Sequence, residues 1–124
     1  MGLLSGLLGN ASEIDTKKLD GELDEILVSG EQLERGYKLV RDLLVFTNKR
    51  IVMIDKQGIT GSKRETTSIP YGSVVKFSKE TAGHFDMDAE LRVWVRSSAT
   101  PVVWEFKGGK DIHEVYRVLS AYIL

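Results

Sequence analysis

Cysteine is absent from this chain of 124 residues. Its absence excludes disulfides, thiolate metal sites and cysteine nucleophiles, and it is consistent with a reducing compartment. Histidine is scarce as well, with only His84 and His113. Because the chain also lacks a Gly-x-Ser-x-Gly motif, no catalytic triad is indicated. The sequence therefore predicts a protein that is not an enzyme and uses no cofactor.

The chain also lacks a long apolar run and an excess of one charge. Its 17 basic and 18 acidic residues give a net charge of −1, so no overall field favours nucleic acid. No apolar run approaches the ~20 residues that span a bilayer. The N-terminal residues lack the basic region with which a signal peptide begins. The length fits one domain. These features predict a soluble cytoplasmic protein that does not bind nucleic acid, and they do not favour binding to a membrane.

Two short apolar runs, at residues 43–46 and 51–54, lie on either side of the polar residues 47–50. Runs of four residues are too short for buried helices, and their Val, Ile and Phe content indicates paired strands. Asn48 tolerates the left-handed backbone of a tight turn, so the pattern predicts a β-hairpin. From about Gln32 to Lys107 the chain continues as short strands separated by glycine and proline turns.

A second hairpin is predicted at the end of this region. Apolar residues alternate with polar ones over 91–95 and again over 102–106. With a turn centred between Ser98 and Ala99, Val93 pairs with Trp104, and the apolar residues of both strands share one face. This register places Trp94 on the face away from the core. That face then carries the pairs Arg92–Glu105 and Trp94–Val103.

The C-terminus predicts an amphipathic helix. Gly108 and Gly109 end the strand pattern, and Asp111 follows as a candidate helix cap. Apolar residues then recur with the helical period, at Ile112, Val115, Tyr116, Leu119, Tyr122 and Ile123. Strands followed by one such helix imply a barrel or sandwich that the helix covers.

Residues 1–29 are predicted to form a helical segment. Ser12 can cap a helix that carries Leu19, Leu23, Ile26 and Leu27 on one face. Before it comes a leucine stripe, formed by Leu3, Leu4, Leu7 and Leu8. Three uses of the stripe remain open: contact with its own barrel, with a neighbouring copy or with a membrane. Because no Lys or Arg precedes Lys17, docking on protein is favoured.

Several segments together resemble the bacterial pleckstrin-homology-like domain family. They include Arg41-Asp42, Phe46-Thr47-Asn48-Lys49-Arg50, Ile69-Pro70-Tyr71, Glu80-Thr81-Ala82-Gly83 and Glu90-Leu91. The resemblance implies a mainly β domain at residues 30–124, after the helical segment at 1–29. Its fold is a seven-stranded partial barrel of two near-orthogonal antiparallel sheets, closed by the C-terminal helix. The resemblance also implies a cyclic homo-oligomeric ring, with five protomers as the expected number, that acts as a non-catalytic scaffold for an unidentified protein partner.

Two sets of site residues are predicted, the first from the resemblance and the second from the register of the last hairpin. The first set, a polar interaction surface, comprises Arg41, Asp42, Thr47, Asn48, Arg50, Asp55, Gln57 and Glu80. A subunit contact is expected at Trp94, because an exposed Trp between arginines has the composition of an interface anchor. The alternative is that the N-terminal segment of the same chain covers this face. We assign to that contact Arg92, Trp94, Arg96 and Val103, together with Leu3, Leu4, Leu7 and Leu8.

A peripheral module for anionic lipid is the alternative function. It would use the basic residues of the early hairpins, Lys38, Lys49, Arg50 and Lys63. Asp42 interrupts this cluster and the net charge is slightly negative. Solvated or salt-bridged side chains are therefore the favoured interpretation of these residues.

One alternation of polar residues could hold a divalent cation. On a strand, His84, Asp86, Asp88 and Glu90 would point to the same face. The ligand set is too incomplete for a cation cage, and a polar strand face explains it equally well. No metal site is predicted.

Overall fold

The computed structural model describes residues 12–13, 23–39, 42–57, 63–81, 88–107 and 111–124. The strands are β1 (Ser12–Glu13), β2 (Leu33–Lys38), β3 (Asp42–Thr47), β4 (Arg50–Gln57), β5 (Lys63–Pro70), β6 (Val74–Thr81), β7 (Ala89–Val95) and β8 (Val102–Phe106). A 3₁₀ turn (Tyr71–Ser73) separates β5 from β6, and the C-terminal helix is α1 (Ile112–Ile123).

The strands form two antiparallel sheets. The first sheet has the order β1-β2-β3-β4-β5 and the second the order β6-β7-β8. β1 has only two residues, so seven longer strands carry the architecture. The predicted mainly β fold with a C-terminal helix is therefore confirmed. Asp111 is the N-cap residue of α1, as expected, although its side chain makes no capping hydrogen bond.

The N-terminal region departs from the prediction where the structure describes it. Ser12 and Glu13 do not begin a helix, because their backbone pairs with Lys38 and Tyr37 of β2. The leucine stripe and Leu19 lie outside the described residues. A helical turn is present at Leu23, whose carbonyl accepts hydrogen bonds from the N–H groups of Ile26 and Leu27. The predicted boundary between residues 29 and 30 stays a prediction.

The main core lies between the two sheets and α1. Its largest side chains are aromatic: Tyr37, Phe46, Trp104 and Phe106 are all fully buried. Ile112, Val115 and Leu119 of α1 complete it, as the helical period predicted. The Trp104 indole N–H, buried in this core, donates to the Met53 sulfur at 2.9 Å.

A second apolar cluster lies on the other face of the first sheet. Residues 23–32, which we call the strap, cross this face before β2 begins. Leu23 is fully buried there against side chains of β3 and β4, namely Leu43, Val45, Val52 and Ile54. β3 is therefore covered on both faces, which explains why residues 43–46 form a continuous apolar run rather than an alternation.

The register of the last hairpin differs from the predicted one. Trp104 pairs with Leu91 and not with Val93, whereas Val93 pairs with Val102. The turn is centred one residue earlier than expected, with Ser97 at φ 70°. Because strand side chains repeat every two residues, a shift of two leaves every residue on its predicted face. The cross-strand pairs on the outside change to Arg92–Val103 and Glu90–Glu105.

Candidate functional site

The structure separates the predicted polar interaction surface into three places. Asp42 and Asp55 are opposite each other at one end of the β3–β4 hairpin. Thr47 is at its other end, five residues or about 17 Å along the strand. Glu80 belongs to the second sheet. Arg41 and the side chain of Gln57 lie outside the described part of the chain.

Arg50 binds the strap. Its Nε and Nη2 donate to the two carboxylate oxygens of Glu31, each at 2.8 Å, in a bidentate pair. Nη2 also donates to the Ile26 carbonyl at 2.6 Å, and Nη1 to the Ser68 hydroxyl at 2.9 Å. All three nitrogens of the guanidinium are thus engaged within the chain.

Thr47 and Asn48 complete this network. The Thr47 hydroxyl, which is fully buried, donates to Glu31 Oε2 at 2.7 Å. The Asn48 amide donates to the Gly30 carbonyl at 3.0 Å, and its oxygen accepts from the Gln32 N–H at 2.8 Å. We call Glu31, Thr47, Asn48 and Arg50 the latch, since together they hold the strap on the first sheet.

Glu31 is the latch residue that the sequence interpretation missed. Its side chain is fully buried, and hydrogen bonding to Arg50 is the main cause that lowers its pKa from 4.5 to about 2. Burial opposes this shift, while Thr47 and the Val28 N–H support it. The local sequence signal is an acidic residue directly after Gly30, whose φ of 82° turns the chain before β2.

The basic residues of the alternative function do not form one patch. Arg50 is bound in the latch, whereas Lys38, Lys49 and Lys63 are exposed. Lys38 pairs with Leu43 near one end of the hairpin, and Lys49 lies in the turn at the other end. Lys63 begins β5, whereas Lys38 belongs to β2. The two strands are three strand spacings apart in the sheet, which is about 14 Å.

The second sheet presents a face that neither the core nor α1 covers. We call this surface the outer face; it comprises Lys76, Ser78, Glu80, Glu90, Arg92, Trp94, Val103 and Glu105. Trp94 lies on this face as predicted, although it pairs with Lys76 of β6 instead of Val103. Val103 is 45% exposed, and Trp94 is partly exposed.

Charges on the outer face are sorted along the strands. The Lys76 ammonium lies 4.2 Å from the centroid of the Trp94 ring. Arg92, which lies in the middle of this face, donates to Glu80 at 2.8 Å and to Glu90 at 2.5 Å, and these carboxylates raise its pKa. Beyond them, the acidic end borders a shallow hollow of about 230 Å³ lined by Glu80, Thr81, Asp88, Ala89, Glu90 and Glu105.

The predicted cation ladder is only partly within the described residues, since His84 and Asp86 lie outside them. Asp88 forms a salt bridge with Lys107 at 3.3 Å, and Glu90 forms one with Arg92. In the described ranges, no three His, Cys, Asp or Glu residues form a group suited to a metal ion. The two carboxylates that can be placed thus have basic partners.

The fold and its relatives define the class of protein. A partial barrel of two antiparallel sheets with a C-terminal helix is the pleckstrin-homology (PH) architecture. The chain belongs to the bacterial PH domain family, whose family model matches residues 2–123. Over the described ranges, no helix combines the length and the apolar character needed to cross a membrane.

Three relatives illustrate the similarity. The uncharacterized protein YjqA of Bacillus subtilis is 51% identical over 98% of both chains. A PH domain of Shewanella amazonensis has a TM-score of 0.82 and 50% identity over 99% of both chains. A DUF1696 family protein with a PH domain, from Shewanella loihica, has a TM-score of 0.83 and 44% identity, covering 94% of this chain and 99% of its own.

Proposed function

We propose that this chain is a non-enzymatic, self-assembling PH-like scaffold that binds protein partners in the cytoplasm. The observation that carries the proposal is the outer face. Trp94 and the exposed Val103 lie there among charged residues of both signs. This mixture of an aromatic anchor, aliphatic surface and arginine is typical of protein interfaces.

The proposal includes a cyclic homo-oligomeric ring of five protomers. A ring larger than a dimer requires two different contact surfaces on every protomer. Arg92, Trp94, Arg96 and Val103 supply candidates for one contact, and the leucine stripe (Leu3, Leu4, Leu7 and Leu8) supplies candidates for another. Repetition of a partner-binding surface around the ring strengthens weak individual contacts through multivalency.

The wild-type chain should therefore assemble, and Trp94→Ala should lower its mass. The substitution removes the largest apolar side chain of the outer face, and interface anchors of this type contribute about 2 kcal/mol or more. Light scattering coupled to size-exclusion chromatography measures the mass. Val28→Ala is the matched control, since Val28 is 57% exposed but lies on the strap.

Circular dichroism checks that Trp94→Ala keeps the β fold. A folded variant with the wild-type mass contradicts the role of Trp94 in assembly. A wild-type chain that stays monomeric at all accessible concentrations contradicts self-assembly itself.

A further inference from the structure

β6 is an edge strand of the second sheet. It has 8 residues and pairs with β7 on one side, and none of the other described strands pairs with its second side. Along that free edge, every second residue directs its N–H and C=O groups away from β7. An additional strand would satisfy these groups with hydrogen bonds, so the edge can accept an extended peptide.

Helix α1 runs beside β6 in the opposite chain direction. His113 of α1 contacts Lys79 of β6. One turn later in the helix, Tyr116 packs against Phe77, and the two ring centroids lie 5.1 Å apart. Both rings are only partly buried, and Val75, where the register of β6 shifts, is 59% exposed. We call the free edge of β6 together with these five side chains the edge site.

The edge site is basic. The Lys79 ammonium contacts His113 and lies 5.3 Å from the centroid of the Tyr116 ring. Arg50 and Lys107 form salt bridges with carboxylates, whereas no carboxylate of the described ranges forms one with Lys79. A free cation beside apolar and aromatic side chains is complementary to a peptide that carries both acidic and apolar residues.

We propose that the edge site binds an extended acidic segment of the protein partner, which adds to the second sheet as a strand beside β6. The inference rests on the proposed binding of protein partners and names the surface and the chemistry of the bound segment. Main-chain hydrogen bonds to β6 supply affinity. Apolar side chains of the segment contact Val75, Phe77 and Tyr116, and its carboxylates contact Lys79 and His113.

The other long edge strand, β5, lacks these features. Its exposed side chains are polar or charged except for Pro70, which has no N–H to donate to a further strand. A lysine on an edge strand also discourages pairing with unselected chains. The edge of β6 therefore selects acidic segments.

The edge site is compatible with the proposed ring. Phe77 and Lys79 pair with Val93 and Leu91, which are buried in the core, so their side chains lie on the core side of the second sheet. Trp94 lies on the opposite side of that sheet. A subunit contact through Trp94 thus uses different side chains from the edge site, and the ring repeats the edge site for multivalent binding.

Synthetic peptides of 8 residues, the length of β6, test the inference. In one library, aspartate or glutamate alternates with valine, isoleucine or phenylalanine, and in a matched library lysine replaces the acidic residues. Fluorescence anisotropy of the labelled peptides measures their binding to the full chain. The tightest acidic peptide should bind about tenfold or more tightly than its lysine counterpart at low salt, because its charge is opposite to that of Lys79.

Two substitutions locate the bound peptide. Lys79→Glu should weaken its binding about tenfold or more, whereas Lys63→Glu, at an exposed lysine of β5, should have little effect. Val75→Ser should also weaken binding, whereas Val28→Ser should not, since Val28 is 57% exposed but lies on the strap. Circular dichroism checks the fold, and Lys79→Gln replaces Lys79→Glu if the latter fails to fold.

Methylation of the peptide backbone tests strand addition directly. Methyl groups on every second nitrogen remove the N–H donors from one edge of the peptide only. Methylation of one alternating set should weaken binding about tenfold or more, since several hydrogen bonds to β6 are lost. Methylation of the other set should leave the affinity unchanged. Equal effects of both sets overturn the added strand.

The remaining outcomes separate this inference from the proposed function. If no acidic peptide binds, or if Lys79→Glu and Val75→Ser bind it as the wild type does, the edge site is overturned, and the mass of the chain still tests assembly. If bound peptide lowers the assembled mass, a second copy occupies the edge site, which overturns its assignment to a partner. A monomeric chain that binds the peptide as expected supports the edge site and contradicts self-assembly.

Discussion

Arg50 of β4 connects the strap and β5 to its own strand through one side chain. It binds Glu31 and Ile26 of the strap and Ser68 of β5, and its own backbone begins β4. Glu31 has no solvent-exposed side-chain surface. Arg50, the Thr47 hydroxyl and the Val28 N–H therefore replace the water that would otherwise solvate its carboxylate, and Arg50 alone supplies a compensating charge. This dependence makes the pair a stability determinant.

Arg50→Met should lower the free energy of unfolding by about 3 kcal/mol or more. The substitution leaves a buried, unpaired carboxylate, and the loss of one partner of a buried ion pair costs about 3–5 kcal/mol. Urea denaturation followed by circular dichroism measures the change. Arg117→Met is the control, since the Arg117 side chain is exposed on α1. Equal effects of both substitutions would contradict the role of the latch.

Glu31 also predicts how stability depends on pH. Its pKa is about 2 in the folded chain against an ordinary value of 4.5. A lowered carboxyl pKa stabilises the fold above about pH 4.5, and this contribution disappears as the pH falls toward 2. The full contribution is about 3 kcal/mol.

Glu31→Gln isolates this effect, because every other carboxyl group titrates in both proteins. The difference in unfolding free energy between the wild type and the variant should be constant from pH 7 to about pH 5 and then shrink on acidification. A difference that stays constant down to pH 2 would show that the Glu31 pKa is not lowered. Urea titrations at each pH supply the data.

At the scale of elements, the strap covers the second face of β3 and β4 in the first sheet. The chain pattern identified β3 and β4 correctly as strands but did not reveal what covers their second face. That cover comes from residues before β2, whose apolar side chains the sequence pattern assigns to a helix. Leu23 is its anchor, as it is fully buried in the second cluster.

Leu23→Ala should therefore lower the free energy of unfolding by about 3 kcal/mol. Removal of a buried leucine side chain costs its transfer free energy and leaves a cavity. Thermal denaturation measures the loss, and Val28→Ala on the same strap should change stability little. If Leu23→Ala has no effect, the strap does not contribute to the stability of the sheet.

The last hairpin shows the limit of reading strands from their alternation. Trp94 was placed on the correct face, yet its neighbour across the strands proved to be Lys76, and Trp104 paired with Leu91. Alternation determines the face of each residue, but registers that differ by two satisfy it equally well. The turn at Ser97 selects one of them, and its positive φ could not be foreseen for a serine.

On the scale of the whole molecule, the distribution of charge favours the proposed protein partner over a lipid surface. The exposed lysines of the first sheet lie at opposite ends or on strands far apart, and Arg50 is not available. Anionic membranes attract proteins through clusters of basic residues. Such a cluster does not exist among Lys38, Lys49, Arg50 and Lys63.

We therefore expect no salt-sensitive binding to vesicles that contain anionic lipid. Co-sedimentation with vesicles of phosphatidylcholine, with and without phosphatidylserine, measures it. The protein should remain in the supernatant with both compositions at 50 mM and at 300 mM salt. The higher salt concentration screens the attraction between exposed charges more strongly. Pelleting that increases with phosphatidylserine and decreases with salt would instead support the lipid-binding alternative.

Sequence alone determined that residues 32–107 form strands and that the C-terminus forms a helix, and it determined which side of β7, β8 and α1 meets the core, because the periods of two and 3.6 residues are local properties. It also identified Thr47, Asn48 and Arg50 as notable residues, without showing that they bind a segment of their own chain. Tertiary structure decided the strand register, the burial of β3 on both faces and the pairing of Glu31 with Arg50. These features depend on turn geometry and on contacts between residues far apart in the chain, and no local pattern records either.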